Sequence, residues 1–462
     1  MRIKKYDVDY SRRQMMQNMA LGAGAGVLMP LDKLWAKDSG LQDISKAYPD
    51  EAFSIEEQTK GKISVGDYVT ADNVEHVEHL LDPCQIFQIK NDGRRFRVGP
   101  PETDMTRMFT YQNLQKTLEN EQTGYKAKFD SNGNVVGPDG KPWRGGFPFP
   151  NPQDALQTQA NAALSWGRAD ANLYAVRQHD YGGDGQEEYA YDFAWVELQM
   201  QARIDGQVFR GKSDEIRRQT AYFESSDDVK GTSFLSVWKY DQREVPDLYG
   251  YLPQFRRVRQ YPANQRFEPL VPGATWFLTD PWAAGDPMLT WGEYEIVERK
   301  PMLMSTSGNI SIKNENWEMP RIPGNEKYMD VELSLAPEAY VVKSKPTGYP
   351  RAPVSYRLAY FDARNSTYTG CLRFDRQEKP WVSFESAFGY YDTDNLRVMG
   401  HDGKHPAWSW TWVMSYNMQN KRMTLIDHAK EASGIKSLFE IDQDWMYDTY
   451  LTPSAQQALG RV

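Results

Sequence analysis

Three short segments combine histidine with acidic residues and could bind a metal ion. Residues 179–188, HDYGGDGQEE, place carboxylates on a Gly-rich turn, and carboxylate oxygens are the ligands that Ca²⁺ prefers. The segment lacks the alternating acidic order of an EF-hand loop, so a solvated hairpin turn is the favoured interpretation. Residues 401–405, HDGKH, are also typical of a turn, and His76 and His79 are spaced by three residues rather than four. We therefore expect neither a metal site nor another cofactor.

Nucleophilic catalysis has no recognisable signature in this chain. No G-x-S-x-G, S-x-x-K or Cys–His arrangement occurs in a convincing context, and no dinucleotide or Walker phosphate loop is present. Cys84 and Cys371 match no metal spacing, and we expect two separate buried thiols, with a disulfide as the alternative. Paired glycosidase carboxylates are defined by a distance in space, which a sequence does not give. We expect a protein that is not an enzyme, and enzymatic activity stays open as an alternative.

Residues 249–262, YGYLPQFRRVRQYP, suggest binding chemistry of another kind. Pro253 and Gln254 divide two short β-competent segments, which predicts an antiparallel strand pair. Because side chains alternate along a strand, Phe255, Arg257 and Arg259 share one face. An arginine stem lies well along apolar surface while its guanidinium reaches a polar headgroup. The alternative is that these arginines pair with carboxylates of the protein itself. The candidate ligand-contact residues, which include two tryptophans of neighbouring segments, are Tyr249, Tyr251, Phe255, Arg257, Arg259, Trp238 and Trp276.

Composition limits the partners of the protein. The chain has 462 residues, a formal net charge of -9, 13% aromatic residues and a mean hydropathy of -0.71. Without the first 36 residues, 48 basic and 60 acidic residues remain, which argues against nucleic acid as the main partner. Many aromatic side chains in so polar a chain are typical of β-sheets and aromatic-lined cavities.

The N-terminal segment has the pattern of an export signal. Arg12 and Arg13 precede a short apolar run at residues 19–31, which is the order of a twin-arginine (Tat) signal. The run is too short to span a bilayer, and no cysteine follows it as a lipoprotein anchor. We predict a signal peptide at residues 1–36 with an uncertain cleavage position, handled by the Tat translocase, and a linker at 37–62. A basic amphipathic helix is the alternative. The expected location is the periplasm.

The remaining chain, 63–462, is predicted to be one mainly β domain with some helix. Helical spacing predicts helices at 69–81, 113–121 and 154–166, and turn residues predict a hairpin within 129–143. From residue 172 onward, about a dozen short β runs divided by turns predict a large antiparallel meander. Residues 300–330 are polar and predicted to be an inserted loop.

Taken together, these segments resemble a large family of bacterial periplasmic proteins known as outer-membrane lipoprotein-sorting-like, a domain of unknown function whose members look like enlarged relatives of LolA and LolB. The likeness covers about residues 63–460. It is carried by these pieces in order: VTADNVEHVEHLL, GGFPFPNPQDALQ, NAALSWGRAD, SFLSVWKYDQREVPDLYGYLPQFRRVRQYPANQ, TWFLTDP, GEYEIVERKPML and DWMYDTYLTPSA. The resemblance implies a strongly curved antiparallel sheet, an open half-barrel, with helices on the concave side and an apolar cavity between.

The same resemblance implies a function in the cell envelope. Family members tend to be periplasmic or bound at the outer membrane, and many are encoded near RND-type (MMPL-like) exporters. We therefore expect a binding or carrier protein for a hydrophobic, lipid-like ligand, with polar head contacts at Arg257 and Arg259. An exported enzyme or accessory factor for a hydrophobic substrate, and a structural partner of an exporter or outer-membrane complex, are the alternatives. Neither the ligand nor the oligomeric state can be read from the sequence.

Overall fold

A computed structural model describes residues 48, 50–165, 169–262, 266–278, 280, 286–306, 315–393, 396–400, 402–439 and 441–460. The predicted export signal, with Arg12 and Arg13, lies outside these residues. The described α-helices are α1 (Ile55–Thr59), α2 (Pro83–Asp92), α3 (Tyr111–Gln122), α4 (Ala155–Leu164), α5 (Gln443–Tyr450) and α6 (Pro453–Leu459). None of these helices is long and apolar enough to cross a membrane.

The strands up to the first sheet edge are β1 (Tyr68–Val69), β2 (Phe96–Gly99), β3 (Lys128–Phe129), β4 (Val135–Val136), β5 (Ala171–Tyr181), β6 (Glu187–Gln199), β7 (Glu215–Ser225), β8 (Ser233–Lys239), β9 (Asp247–Leu252) and β10 (Arg257–Tyr261). The later strands are β11 (Gly292–Met304), β12 (Arg321–Ile322), β13 (Asn325–Met329), β14 (Val331–Lys345), β15 (Val354–Asp362), β16 (Thr367–Asp375), β17 (Pro380–Tyr390), β18 (Asp392–Thr393), β19 (Leu396–Arg397), β20 (Trp408–Asn417), β21 (Met423–Ala429), β22 (Glu431–Ala432) and β23 (Ile435–Lys436).

One 15-stranded sheet organises the molecule. Strands β1 and β2 come first in the chain and lie at one edge, where β2 pairs with β14. From β5, near the sheet centre, the chain then lays down β5 to β10 as an antiparallel meander toward the other edge. It then crosses to the far edge, where β11 pairs with β14, and returns through β15, β16, β17, β20 and β21. Strand β21 pairs with β5 and joins the two halves. No described pairing joins β10 to β11, so the sheet is an open half-barrel, as the sequence predicted.

The two faces of the sheet have separate cores. The interior face carries a continuous aromatic core from both halves, for example Tyr174, Phe193, Phe361 and Phe384. Helices α3 and α4 cover this face together with described residues of the chain between β10 and β11, namely those of 266–278, 280 and 286–291, which we call the crossing segment. Elements from the chain ends cover the outer face: α1, α2 and their neighbours on one half, α5 and α6 on the other. Helices on the concave side were predicted, and α3 and α4 lie there.

The predicted helix at residues 69–81 is wrong. After β1, the chain forms two 3-10 turns, Val74–His76 and Glu78–Leu80, and an α-helix begins only at Pro83. Val74, Val77 and Leu80 are buried at a spacing of three, which suits the 3.0 residues per turn of a 3-10 helix. The start signal of α2 is the capping box of Asp82 with its proline at the first helical position.

The two other predicted helices and the predicted hairpin are confirmed, whereas parts of the predicted loop and of the predicted linker form regular structure. Helix α3 contains the predicted helix at 113–121, and α4 begins after Asp154, whose carboxylate accepts the Gln157 N–H. The predicted hairpin is β3–β4. Residues 300–330 contain the end of β11 and the β12–β13 hairpin, while 307–314 lie outside the described residues. Within the predicted linker, Ile55 of α1 is buried in the outer-face core.

Candidate functional site: the interior face and its rim

Strand β10 forms one rim of the half-barrel. In its pairing with β9, Arg257 lies opposite Leu252, Arg259 opposite Gly250 and Tyr261 opposite Leu248. Leu248 belongs to the interior core, so Arg257, Arg259 and Tyr261 all lie on the interior side of the sheet. The two strands are connected by a 3-10 turn, Pro253–Phe255, followed by a residue in the left-handed region.

The arginines of this rim are exposed and have no carboxylate partner among the described residues. Arg256, Arg257 and Arg259 form none of the ion pairs found in that part of the chain, and Asp247 of β9 is instead near Lys239 and accepts from Gln260. Among the described residues, the alternative raised from the sequence, pairing with the protein's own carboxylates, is not seen for these arginines. Three guanidiniums without a described carboxylate partner, in a protein with a net charge of -9, make a local positive patch.

Apolar side chains lie beside this positive patch. The Arg259 guanidinium is 4.0 Å from the centroid of the Phe255 ring, and Phe255 is 45% exposed. Tyr261 packs against Phe234, with ring centroids 6.2 Å apart, and both are half-buried against the interior core. A rim that combines exposed cations with half-buried aromatic rings suits an amphipathic molecule.

Tyr249 and Tyr251, which the sequence grouped with the rim arginines, lie on the other face. Tyr249 packs in the core beneath α5 and α6, and the Tyr251 hydroxyl donates to the Gly460 carbonyl at 3.3 Å. The physical reason is the two-residue alternation of β9, which puts Leu248 and Gly250 inside and both tyrosines outside. These two residues contact the C-terminal helices and not the interior face.

Trp276 and Trp238 are both buried inside the protein. Trp276 is 1% exposed, donates its indole N–H to Gln178 Oε1 at 3.0 Å, and meets Trp195 edge-on at 6.2 Å between centroids. Trp238 lies between two guanidiniums, those of Arg217 and Arg266, each 5.0 Å from the ring centroid. Trp276 therefore belongs to the layer of the crossing segment that packs on the interior face.

Sequence reasoning missed a group of buried charges inside the half-barrel. Arg266 donates to Asp286 at 2.5 Å, and Arg373 donates to Asp280 at 2.8 Å. Arg357 stacks on Trp291, with its guanidinium carbon 4.0 Å from the ring centroid. All five charged residues are 1% exposed. The only sequence signal is an arginine in otherwise apolar strands, as in RLAYF and CLRF.

A serine and a histidine are in contact on the interior side. Ser437 Oγ lies 3.0 Å from His428 Nε2, and the Tyr391 hydroxyl lies 2.6 Å from His428 Nδ1. However, Ser437 Oγ donates its proton to the Ala429 carbonyl at 2.7 Å and accepts the Ala175 N–H at 2.8 Å. Ser437 Oγ is thus within hydrogen-bond distance of two backbone groups as well as of the histidine ring.

The histidine and acidic segments that the sequence raised as metal candidates form local pairs. His179 Nδ1 is 2.8 Å from Glu187, and His405 Nδ1 is 2.6 Å from Asp402, with Tyr111 stacked on the His405 ring. The residues that the structure describes contain no cluster of three or more His, Cys, Asp or Glu side chains that could hold a metal. The His179 segment is the β5–β6 hairpin, in agreement with the turn interpretation.

A cleft lies on the outer side, between the N-terminus of α2 and the sheet. Its lining includes Asp82, Met304, Tyr360 and Glu385, and its volume of about 20 Å³ suits a single water molecule. Burial raises the pKa of Asp82 to about 6. This cleft is too small for a lipid.

Comparison with known families agrees with the resemblance seen in the sequence. The model of a family described as a protein of unknown function (DUF1329) matches residues 68–456. This chain belongs to that family. No curated protein matches it.

Three solved structures are similar to this chain at low sequence identity. A domain from Vibrio parahaemolyticus described as outer membrane lipoprotein-sorting has 12% identity and a TM-score of 0.42, covering 66% of this chain and 97% of that one. A DUF1329 family protein from Desulfovibrio piger has 12% identity and a TM-score of 0.38, covering 58% and 88%. A LolA superfamily protein from Nitrosomonas europaea has 10% identity and a TM-score of 0.34, covering 66% and 100%.

Proposed function

We propose that this protein is a periplasmic carrier that holds the apolar body of a lipid-like ligand against the interior face of its half-barrel, without chemistry on the ligand. The observation that supports the proposal best is the aromatic interior face, which runs through both halves of the sheet and meets solvent at the β10 rim. Side chains half-buried at that rim, such as Phe234 and Tyr261, continue the apolar surface outward.

Burial of the apolar ligand body supplies the affinity. Removing about 400 Å² of apolar surface from water is worth roughly 10 kcal/mol at 25 cal/mol per Å², before the costs of ordering and association. At the rim, Arg257 and Arg259 contact the polar headgroup as the ligand enters. Trp276 and its neighbours pack on the interior face, so loading requires the crossing segment to make room.

The carrier works with other components of the envelope in this proposal. The N-terminal signal directs the chain to the Tat translocase, and an RND/MMPL-type exporter supplies or accepts the ligand. Support for these partners comes from the Arg12–Arg13 pattern and the family resemblance.

Native mass spectrometry of protein purified from the periplasm tests the proposal. A carrier should retain a lipid-like mass that organic extraction removes, and the extracted protein should rebind a hydrophobic probe such as N-phenylnaphthylamine. Protein that carries no such mass and does not bind the probe would overturn the carrier function. If that ligand-free protein captured an exporter complex, a role as a structural partner of that complex would replace the carrier function.

A further inference from the structure

Two buried arginines lie directly opposite each other on neighbouring strands inside the half-barrel. Arg357 of β15 and Arg373 of β16 are register partners, and each is 1% exposed. Like charges at directly opposite positions of a sheet repel each other, and burial in a low dielectric strengthens that repulsion. Such an arrangement requires an anion close by.

The carboxylate beside them comes from the crossing segment and not from the sheet. Asp280 Oδ2 accepts from Arg373 Nη2 at 2.8 Å and from the Phe277 N–H at 2.7 Å. Both guanidiniums act electrostatically on this one carboxylate. Asp280 thus lies within the electrostatic reach of both guanidiniums, and it comes from the chain between β10 and β11.

The guanidinium of Arg373 keeps unused donor capacity. Its Nε and Nη1 atoms are buried and have no hydrogen-bond partner among the described residues. A buried N–H group without an acceptor costs about 1–3 kcal/mol, more for a charged group, so its presence needs a reason. The centroid of the Phe277 ring lies 4.4 Å from the guanidinium carbon of Arg373. The same ring packs against half-buried Trp381, with 5.7 Å between the ring centroids. The unused donors therefore lie under a layer that includes a residue of the crossing segment.

We propose that Arg373, supported by Arg357, binds the anionic headgroup of a long-chain amphiphile, whose oxyanion replaces the carboxylate of Asp280. This inference rests on the proposed carrier function and names its ligand class. The Asp280 carboxylate contacts only Nη2 of Arg373. An incoming carboxylate or phosphate group has enough oxygen atoms to accept from Nε and Nη1 as well. The rim arginines meet the headgroup first, and the buried pair holds it.

Titrations with cis-parinaric acid and its methyl ester test this ligand class, because the two fluorescent probes share one chain and differ in headgroup charge. The wild-type protein should bind the acid at least tenfold more tightly than the ester, since a charged hydrogen bond is worth about tenfold or more in affinity. Asp280→Asn leaves two buried guanidiniums without this carboxylate, so the variant should be less stable than the wild type, and the acid, but not the ester, should restore its stability. Acetate at the concentration of the acid should not compete, because it lacks the chain.

Variants that remove the buried charge complete the test. Arg373→Gln alone leaves the Asp280 carboxylate without its partner and is expected to fold poorly, so the double variant Arg373→Gln/Asp280→Asn is the informative one. It should bind acid and ester equally. The matched control is Arg94→Gln/Glu385→Gln, which removes a buried bidentate pair (2.7 and 2.8 Å) and should keep the preference for the acid.

The outcomes separate this inference from the proposed function. Equal binding of acid and ester by the wild type, or an acid preference that survives in the Arg373 double variant, would overturn the anion site while leaving the carrier function intact. Competition by acetate would reject an amphiphile as the ligand. Failure of both probes to bind at all would overturn the carrier function itself.

Discussion

Removing the Trp276 side chain tests whether the crossing segment packs on the interior face in solution. Trp276 is 1% exposed, and a buried tryptophan removes roughly 200 Å² from water, worth about 5 kcal/mol at 25 cal/mol per Å². Trp276→Ala should therefore lower the free energy of unfolding by about 3–5 kcal/mol. The conservative variant Trp276→Phe keeps most of the packing but leaves Gln178 Oε1 without its donor, which should cost about 1–3 kcal/mol.

Urea unfolding followed by far-UV circular dichroism measures these differences. Trp445 offers a matched control, because it is 45% exposed and Trp445→Ala should change stability by no more than about 0.5 kcal/mol. Because Gln178 Nε2 also donates to Asp180 at 2.8 Å, Gln178→Met is itself destabilising, and a double-mutant cycle with Trp276→Phe should give a coupling of about 1–3 kcal/mol between the two side chains. A loss below 1 kcal/mol for Trp276→Ala would refute the packing of this segment on the sheet.

Three further predictions concern buried polar groups. Burial raises the pKa of Asp180 to about 7, so the folded protein binds a proton that the unfolded chain releases between about pH 4 and 7. Stability should fall by up to about 1.4 kcal/mol per pH unit as pH rises through that window, and Asp180→Asn should flatten the slope in urea titrations at pH 5–7. Arg94→Ala, which strands a partly buried carboxylate, should cost about 3–5 kcal/mol in the same assay, whereas exposed Arg257→Ala should cost almost nothing. Cys84 and Cys371 are free and lie in cores on opposite faces, so thiol titration under non-reducing denaturation should count two thiols, and fewer than two would contradict their placement.

Strand positions were predictable because apolar alternation is local information. The run that became β20, WSWTWVMSYN, shows it, and it lies in the part of the chain after residue 172 where the sequence predicted the meander. The interior location of Arg257 and Arg259 follows from the same alternation once the pairing with β9 is known. The 3-10 turns before α2 were missed because spacings of three and four were counted together as helical.

The buried charges could not be predicted, because their burial depends on contacts between distant parts of the chain. Arg373 meets Asp280 across 93 residues, and only the return of β16 beneath the crossing segment brings them together. In sequence, an arginine within a strand is usually a solvated side chain. Likewise, the apolar character of the segment TWFLTDPW predicts burial, but it does not predict that Trp276 packs on Trp195.

The central claim is that the interior face binds the apolar body of the ligand, and photo-crosslinking tests this claim most directly. A neutral lipid analogue with a diazirine at the chain end, bound and then irradiated, should label peptides of the interior face, including those with Phe193, Phe223 or Phe384. Peptides from the outer-face cores, such as α2 or α5, should stay unlabelled. Labelling confined to the outer face, or labelling that excess unmodified lipid does not suppress, would contradict the account.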